Sequence, residues 1–208
     1  MIVSHKHKFI FIATPKTGTT SIENTLGYLS ERVDFSKRPR ERSNPIIKHV
    51  KLSDVERYSI LPLGKYFSFS FSRNPWDRHV SIYFYYKKMI KQWSDGNAPE
   101  EWMNLYQKYV DIIGKSGSFE EFVTKRPDFC ELQTYWLNDG LDFIGKMENI
   151  QNDFDFICRK IKIPKMTLPA LNSTDRKAYT EYYNSKTEAI VAKAYKEDIK
   201  YLGYKFGE

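Results

Sequence analysis

The stretch Lys8-Phe-Ile-Phe-Ile-Ala-Thr-Pro-Lys-Thr-Gly-Thr-Thr-Ser21 decides the fold. Its first part, Lys8 to Ala13, is a short apolar run bounded by a turn signal, which is the pattern of a buried strand. Thr14 to Gly18 reads as a loop, because Pro15 and Gly18 punctuate it. From Thr19 to Leu29 the pattern becomes helical, with Ile22, Leu26 and Leu29 on one face.

Further out, Tyr66-Phe-Ser-Phe-Ser-Phe-Ser72 alternates ring and hydroxyl and is the clearest period-two segment of the chain. It breaks at Arg73-Asn74-Pro75. A helix from Pro75 to about Ile90 follows, with Asn74 as a good N-cap and Pro75 as a good first helical residue. Asp142 to Met147 predicts another strand and Asn149 to Ile161 another helix. Ile46 to Lys48 reads as a short strand. Shorter helices are expected over Lys51 to Tyr58 and near 99–113, 118–126 and 130–137. A proline-bounded loop at 164–176 precedes a final helix from Lys186 to Leu202. Residues 30–45 are charged, carry two prolines and read as a mobile surface excursion. Strands alternating with helices predict an α/β layer with a mostly parallel central sheet flanked by helices. The length, 208 residues, predicts a single domain over 1–208 with a full core.

Composition narrows the function. Apolar residues at 41% exclude a disordered tail, and a mean hydropathy of −0.59 without any long apolar run argues against a membrane span. Phe9 to Ala13 is too short for a signal-peptide core, so a cytoplasmic location is the expectation. Two cysteines, Cys130 and Cys158, suit a reducing compartment and do not make a four-cysteine zinc site. The 33 Lys and Arg against 26 Asp and Glu leave a charge of +7, which fits nucleic acid, an anionic small ligand or a solvated lysine surface. Aromatics at 16% are read as a core built from rings rather than a stacking surface.

Two loops call for an anion. In Pro15-Lys-Thr-Gly-Thr-Thr-Ser21 a glycine permits a tight turn, and the N–H groups of the helix start point at one spot, as for phosphate or sulfate. Thr19, Thr20 and Ser21 add hydroxyls, and Lys16 adds a charge. Thr20-x-x-Glu23 is also a capping box. Lys16 precedes the only glycine of the loop, so this is not a Walker A sequence. In Arg73-Asn-Pro-Trp-Asp-Arg-His-Val-Ser81 the guanidinium of Arg73 offers a fork to phosphate oxygens and Ser81 a hydroxyl. Each loop sits at the carboxyl end of a buried strand, the edge at which open α/β sheets bind ligands.

This pair of loops resembles the two PAPS-binding signatures of sulfotransferases, most closely the carbohydrate-type, family 2 group. Phe143-Ile-Gly-Lys-Met-Glu-Asn-Ile-Gln-Asn-Asp-Phe154, Leu168 to Asn172, Tyr182-Tyr183 and Asp198 to Tyr204 extend the resemblance nearly end to end. Lys146-Met147 departs from the Arg-Phe or aromatic often found there. The resemblance implies a P-loop-like sheet and transfer of a sulfuryl group from PAPS, with PAP as product, to a hydroxyl of a carbohydrate or small-molecule acceptor. No metal is required. It implies that Lys16 acts at the bridging oxygen, that Thr17, Gly18, Thr19, Thr20 and Ser21 surround the 5′-phosphosulfate, and that Arg73 and Ser81 hold the 3′-phosphate. Arg176 is placed to reach that phosphate or an acidic acceptor.

A hydroxyl acceptor also needs a base. His5 and His7 precede the first strand, on the order of 15–20 Å from the loop at about 3.3 Å per residue. His79 points away from the Ser81 face of its helix. His49 follows the Ile46–Lys48 run toward the open edge, and it resembles the histidine many family members carry between the two loops. Its plain alternative is a surface histidine. Glu148 is a second base candidate, with anchoring of its loop as a buried carboxylate the favoured role. The rival functions are a small P-loop kinase-like enzyme, a non-catalytic PAP-binding protein and a basic nucleic-acid module. No recognised nucleic-acid motif supports the last. The acceptor is expected under residues 30–45 and 91–117.

Overall fold

The computed structural model describes residues 1–31, 49–59, 61–96, 107, 109–171 and 176–208. The expected excursion at 30–45, the strand at 46–48 and most of the helix near 99–113 lie largely outside them, although residues 109–114 are helical. The chain forms two compact units, each built from two separated segments. The first comprises Met1–Arg73 and Leu132–Asn172, the second Asn74–Glu131 and Ser173–Glu208.

The first unit is a mixed α/β layer around a four-stranded sheet. Its strands are β1 (Ile2–Ser4), β2 (Phe9–Phe11), β3 (Phe67–Ser72) and β4 (Phe143–Lys146), ordered β1-β2-β3-β4. β2, β3 and β4 run parallel, and β1 pairs antiparallel with β2 at one edge. β1 was not expected: three residues give too little period to read. It makes the sheet mostly rather than wholly parallel and places His5 and His7 in a hairpin turn. There His5 Nδ1 meets the Tyr66 hydroxyl at 2.8 Å.

Helices cover both faces. Phe9, Phe11, Phe69 and Phe71 pack on one face against Ile22 and Leu26 of α1 (Thr19–Leu26) and Phe154 and Ile157 of the strand-following helix Ile150–Lys160. Ile10 and Ile12 pack on the other against Leu52 and Val55 of α2 (Leu52–Tyr58), with Tyr66 and Trp136. The serines of β3 share this second face, since Ile10 pairs with Ser68 in register. Buried, they satisfy their hydroxyls on the sheet and on Asp142 just before β4. Ser70 Oγ donates to the Ile12 carbonyl at 2.7 Å, Ser72 Oγ to the Gly145 carbonyl at 3.2 Å, and Ser68 Oγ to the Asp142 carboxylate at 2.9 Å. Gly145 is required by packing, because a Cβ there would stand 2.5 Å from the Phe71 ring.

The second unit is helical. α3 (Pro75–Ser94) starts as the sequence predicts and runs a turn further. The Asn74 side chain accepts from Trp76 N–H and donates to the carbonyls of Lys205 and Glu208. α4 (Phe119–Lys125) follows the expectation. Of the helix expected over 130–137, only α5 (Thr134–Leu137), which belongs to the first unit, forms. The Cys130 N–H and carbonyl are instead engaged by the Tyr195 hydroxyl. With Ile150–Lys160 as α6, the expected final helix is two, α7 (Ser185–Ala194) and α8 (Lys196–Leu202). They break at Tyr195, whose ψ of 26° leaves the helix. Rings fill this unit's core: His79, Tyr83, Phe119 and Phe122 pack together, as do Trp76, Tyr183 and Phe206. Among the described residues many rings are thus core, as expected, while Tyr28, Tyr109, Tyr135 and Tyr201 are exposed.

Candidate active site

Between β2 and α1 the chain makes a turn with two residues in the left-handed region, Lys16 at φ 67° and Gly18 at φ 78°. Glycine takes that conformation freely, whereas for lysine it costs about 1–2 kcal/mol. Hydrogen bonds hold the turn. Ser70 gives its single proton to Ile12, so at 2.9 Å the Thr14 hydroxyl is the donor to Ser70 Oγ. The Thr17 hydroxyl donates to the Thr14 carbonyl at 2.9 Å. Arg73 Nη1 donates to the Lys16 carbonyl at 3.1 Å.

What the loop offers a ligand follows from this. Thr17 is buried with its hydroxyl used inside the loop, so its N–H is the group left to it. Gly18 is the N-cap of α1, and Thr19 and Thr20 are its first two residues, whose N–H groups precede any intrahelical acceptor. Ser21 Oγ accepts from Leu171 N–H at 3.4 Å. Gly18 itself is wedged beneath the β4–α6 junction: a Cβ on it would lie 2.7 Å from both Met147 Sδ and Ile150 Cδ1. Met147 thus packs on the loop between β2 and α1.

His49 reaches the same place. Its Nδ1 lies 2.6 Å from the Ala13 carbonyl, one residue beyond Ile12, while its own carbonyl accepts from Trp136 Nε1 at 3.2 Å. A carbonyl only accepts, so Nδ1 carries the proton and the neutral ring keeps its lone pair on Nε2. Nearby, the Lys51 ammonium sits 3.9 Å from the centre of the Tyr135 ring.

Of the predicted residues, Lys16, Thr17, Gly18, Thr19, Thr20, Ser21, His49 and Arg73 all belong to the first unit, and the contacts above bring His49 and Arg73 onto the loop and its strand. Ser81 and Arg176 belong to the second unit. There Ser81 is half-buried on α3, and Arg176 pairs with Asp77 at 2.6 Å, an acid in the first turn of that helix. Glu148, expected as a buried anchor, is exposed in a short 3-10 turn directly after β4. His79 is fully buried, and its Nε2 has no hydrogen-bond partner. Burial above all, and then Arg78, lowers its pKa to about 3. It is a core histidine.

Sequence reasoning passed over Gln133. This residue is fully buried; its Oε1 accepts from the Arg73 N–H and its Nε2 donates to the Arg73 carbonyl, both at 2.8 Å. A lone glutamine beside a four-residue helix carries no period or motif. Its only signal is a polar residue before Tyr135-Trp136-Leu137, a segment otherwise rich in rings. Among the described residues no group of three His, Cys, Asp or Glu is placed to hold a metal.

A profile of the Sulfotransferase family matches residues 1–205, and the chain belongs to that family. It is 25% identical to carbohydrate sulfotransferase 10 of Xenopus laevis over 99% of this chain and 64% of that protein, so it spans less than two thirds of that relative. It is 32% identical to an uncharacterized protein of Archaeoglobus fulgidus over 107 residues, 48% of this chain and 71% of the other. No solved structure matches it.

Proposed function

We propose that this chain transfers the sulfuryl group of PAPS to a hydroxyl of a carbohydrate or small-molecule acceptor, with residues 1–208 acting as one P-loop-like sulfotransferase domain in the cytoplasm. The observation that carries this reading is the convergence at the end of β2. Ala13 holds His49, and three residues later Lys16, held by Arg73, opens the anion loop. Family membership supplies the reaction class. The relative named as a carbohydrate sulfotransferase favours a sugar hydroxyl as acceptor.

PAPS, a substrate here, supplies an activated sulfuryl group whose bond to the 5′-phosphate oxygen breaks as the acceptor oxygen bonds to sulfur. The chain's own residues divide the remaining work. The Lys16 ammonium and the N–H groups of Gly18, Thr19 and Thr20 neutralise the charge growing on the phosphate oxygen. His49 Nε2 receives the acceptor proton, with Nδ1–H fixed on Ala13 so that the ring presents the basic nitrogen. Arg73 holds the 3′-phosphate through its fork of donors.

The test is calorimetric titration of PAP and AMP into wild type, Lys16→Ala and Arg73→Ala, followed by a PAPS-coupled acceptor screen. PAP should bind wild type far better than AMP, and both substitutions should weaken it. Failure of wild type to bind PAP, or equal affinity for AMP, ends the donor assignment. PAP binding without turnover on any acceptor leaves a nucleotide-binding protein instead.

A further inference from the structure

The ladder between β3 and β4 ends at the pairing of Ser72 with Lys146. At the next residue, Arg73, the side chain of Gln133 meets the main chain. Its Oε1 accepts the Arg73 N–H at 2.8 Å and its Nε2 donates to the Arg73 carbonyl at 2.8 Å. One side chain thereby meets both main-chain groups of one residue, as a neighbouring strand would. Only a carboxamide has a donor and an acceptor side by side for this task; a carboxylate lacks the donor and a thioether lacks it as well. Gln133 is 0% exposed, so water does not compete for these bonds.

The consequence lies at the other end of Arg73. Its guanidinium sits on a long flexible stem, and any rotation of the Arg73 peptide is magnified at the tip. With the peptide fixed on Gln133 and Nη1 anchored on the Lys16 carbonyl, the side chain is held at both ends. Preorganised donors bind an anion without first being ordered, which raises affinity for the group they face.

We infer that Gln133 is a positioning residue for Arg73, and that it sets the preference for a nucleotide carrying a 3′-phosphate over one that lacks it. This rests on the donor assignment above. Gln133 acts through Arg73, so its removal costs the 3′-phosphate its partner, while the 5′ loop, although Arg73 also meets the Lys16 carbonyl, keeps the Thr14 and Thr17 bonds that hold its turn.

The experiment is titration of PAP and of AMP into the full chain as wild type, Gln133→Met, Gln133→Glu, Arg73→Ala and the Arg73→Ala/Gln133→Met double variant, with a melting curve for each. Gln133→Met should weaken PAP about tenfold and leave AMP within about twofold. Gln133→Glu, which keeps the acceptor and loses the donor, should fall between. On the Arg73→Ala background Gln133→Met should no longer change the PAP to AMP ratio. An unchanged ratio in Gln133→Met, an equal loss for both nucleotides, or a loss that persists without Arg73 overturns the inference. If Gln133→Met does not fold, Gln133→Glu carries the same comparison alone. A wild type without preference for PAP overturns the donor assignment, and this inference with it.

Discussion

The Ala13 carbonyl fixes the tautomer of His49: the 2.6 Å contact requires the proton on Nδ1, so in the neutral ring Nε2 is the basic nitrogen. His49→Gln should therefore lower turnover by about 10²–10⁴-fold, while PAP affinity stays within about twofold. Steady-state rates alongside PAP titration check this. Unchanged turnover would remove His49 as the base.

Lys16 combines a charge with an unfavourable backbone, and two substitutions separate them. Lys16→Ala and Lys16→Gly both delete the ammonium, but only glycine takes φ 67° without penalty. The glycine variant should be the more stable of the two by about 1 kcal/mol. Both should lose about 10²–10³ in turnover. Urea denaturation gives the first number and the transfer assay the second.

Gly18 has no room above it. Gly18→Ala adds a Cβ 2.7 Å from Met147 Sδ and Ile150 Cδ1 on a backbone at φ 78°. The expected loss is about 2 kcal/mol of stability, together with weaker PAP binding as the loop shifts. Trimming the cover with Met147→Ala should recover part of that loss and leave the backbone share. If the double variant is no better than the single, Met147 is not what presses on Gly18.

His79 makes stability depend on pH. Its folded pKa is about 3 against an ordinary 6.5, so below 6.5 the unfolded chain binds a proton that the folded chain refuses. Stability is complete above pH 6.5, declines as pH falls and levels off below about 3. From pH 7.5 to 5 this residue should cost about 2 kcal/mol. His79→Phe, whose ring suits the stack on Phe122 and has no nitrogen left unpaired, should flatten the difference between urea curves at the two pH values.

Much of the core was legible because period carries it. The rings of Phe67 to Phe71 and the apolar run at Phe9 to Ile12 announce strands, and Asn74-Pro75 announces a helix start. The turn between β2 and α1 was legible because Pro15 and Gly18 punctuate it locally. Four things were not. β1 is too short to show alternation. The break at Tyr195 falls where its hydroxyl reaches Cys130, a long-range bond without local trace. The exposure of Glu148 depends on the 3-10 turn it occupies. Gln133 matters through Arg73, distant in sequence, so its role is written in the tertiary structure alone.

Synthesis order gives the central strand a hazard. Phe67–Ser72 pairs with Phe9–Phe11, made before it, and with Phe143–Lys146, made long after, across the whole first segment of the second unit. On the ribosome this phenylalanine-rich strand emerges with one flank bare, a row of unsatisfied main-chain groups open to any passing strand. A nascent chain halted before residue 143 exposes a sticky ribbon rather than a partial fold. Expression of such fragments should yield inclusion bodies, and full-length yield should rise with slower translation or a holding chaperone.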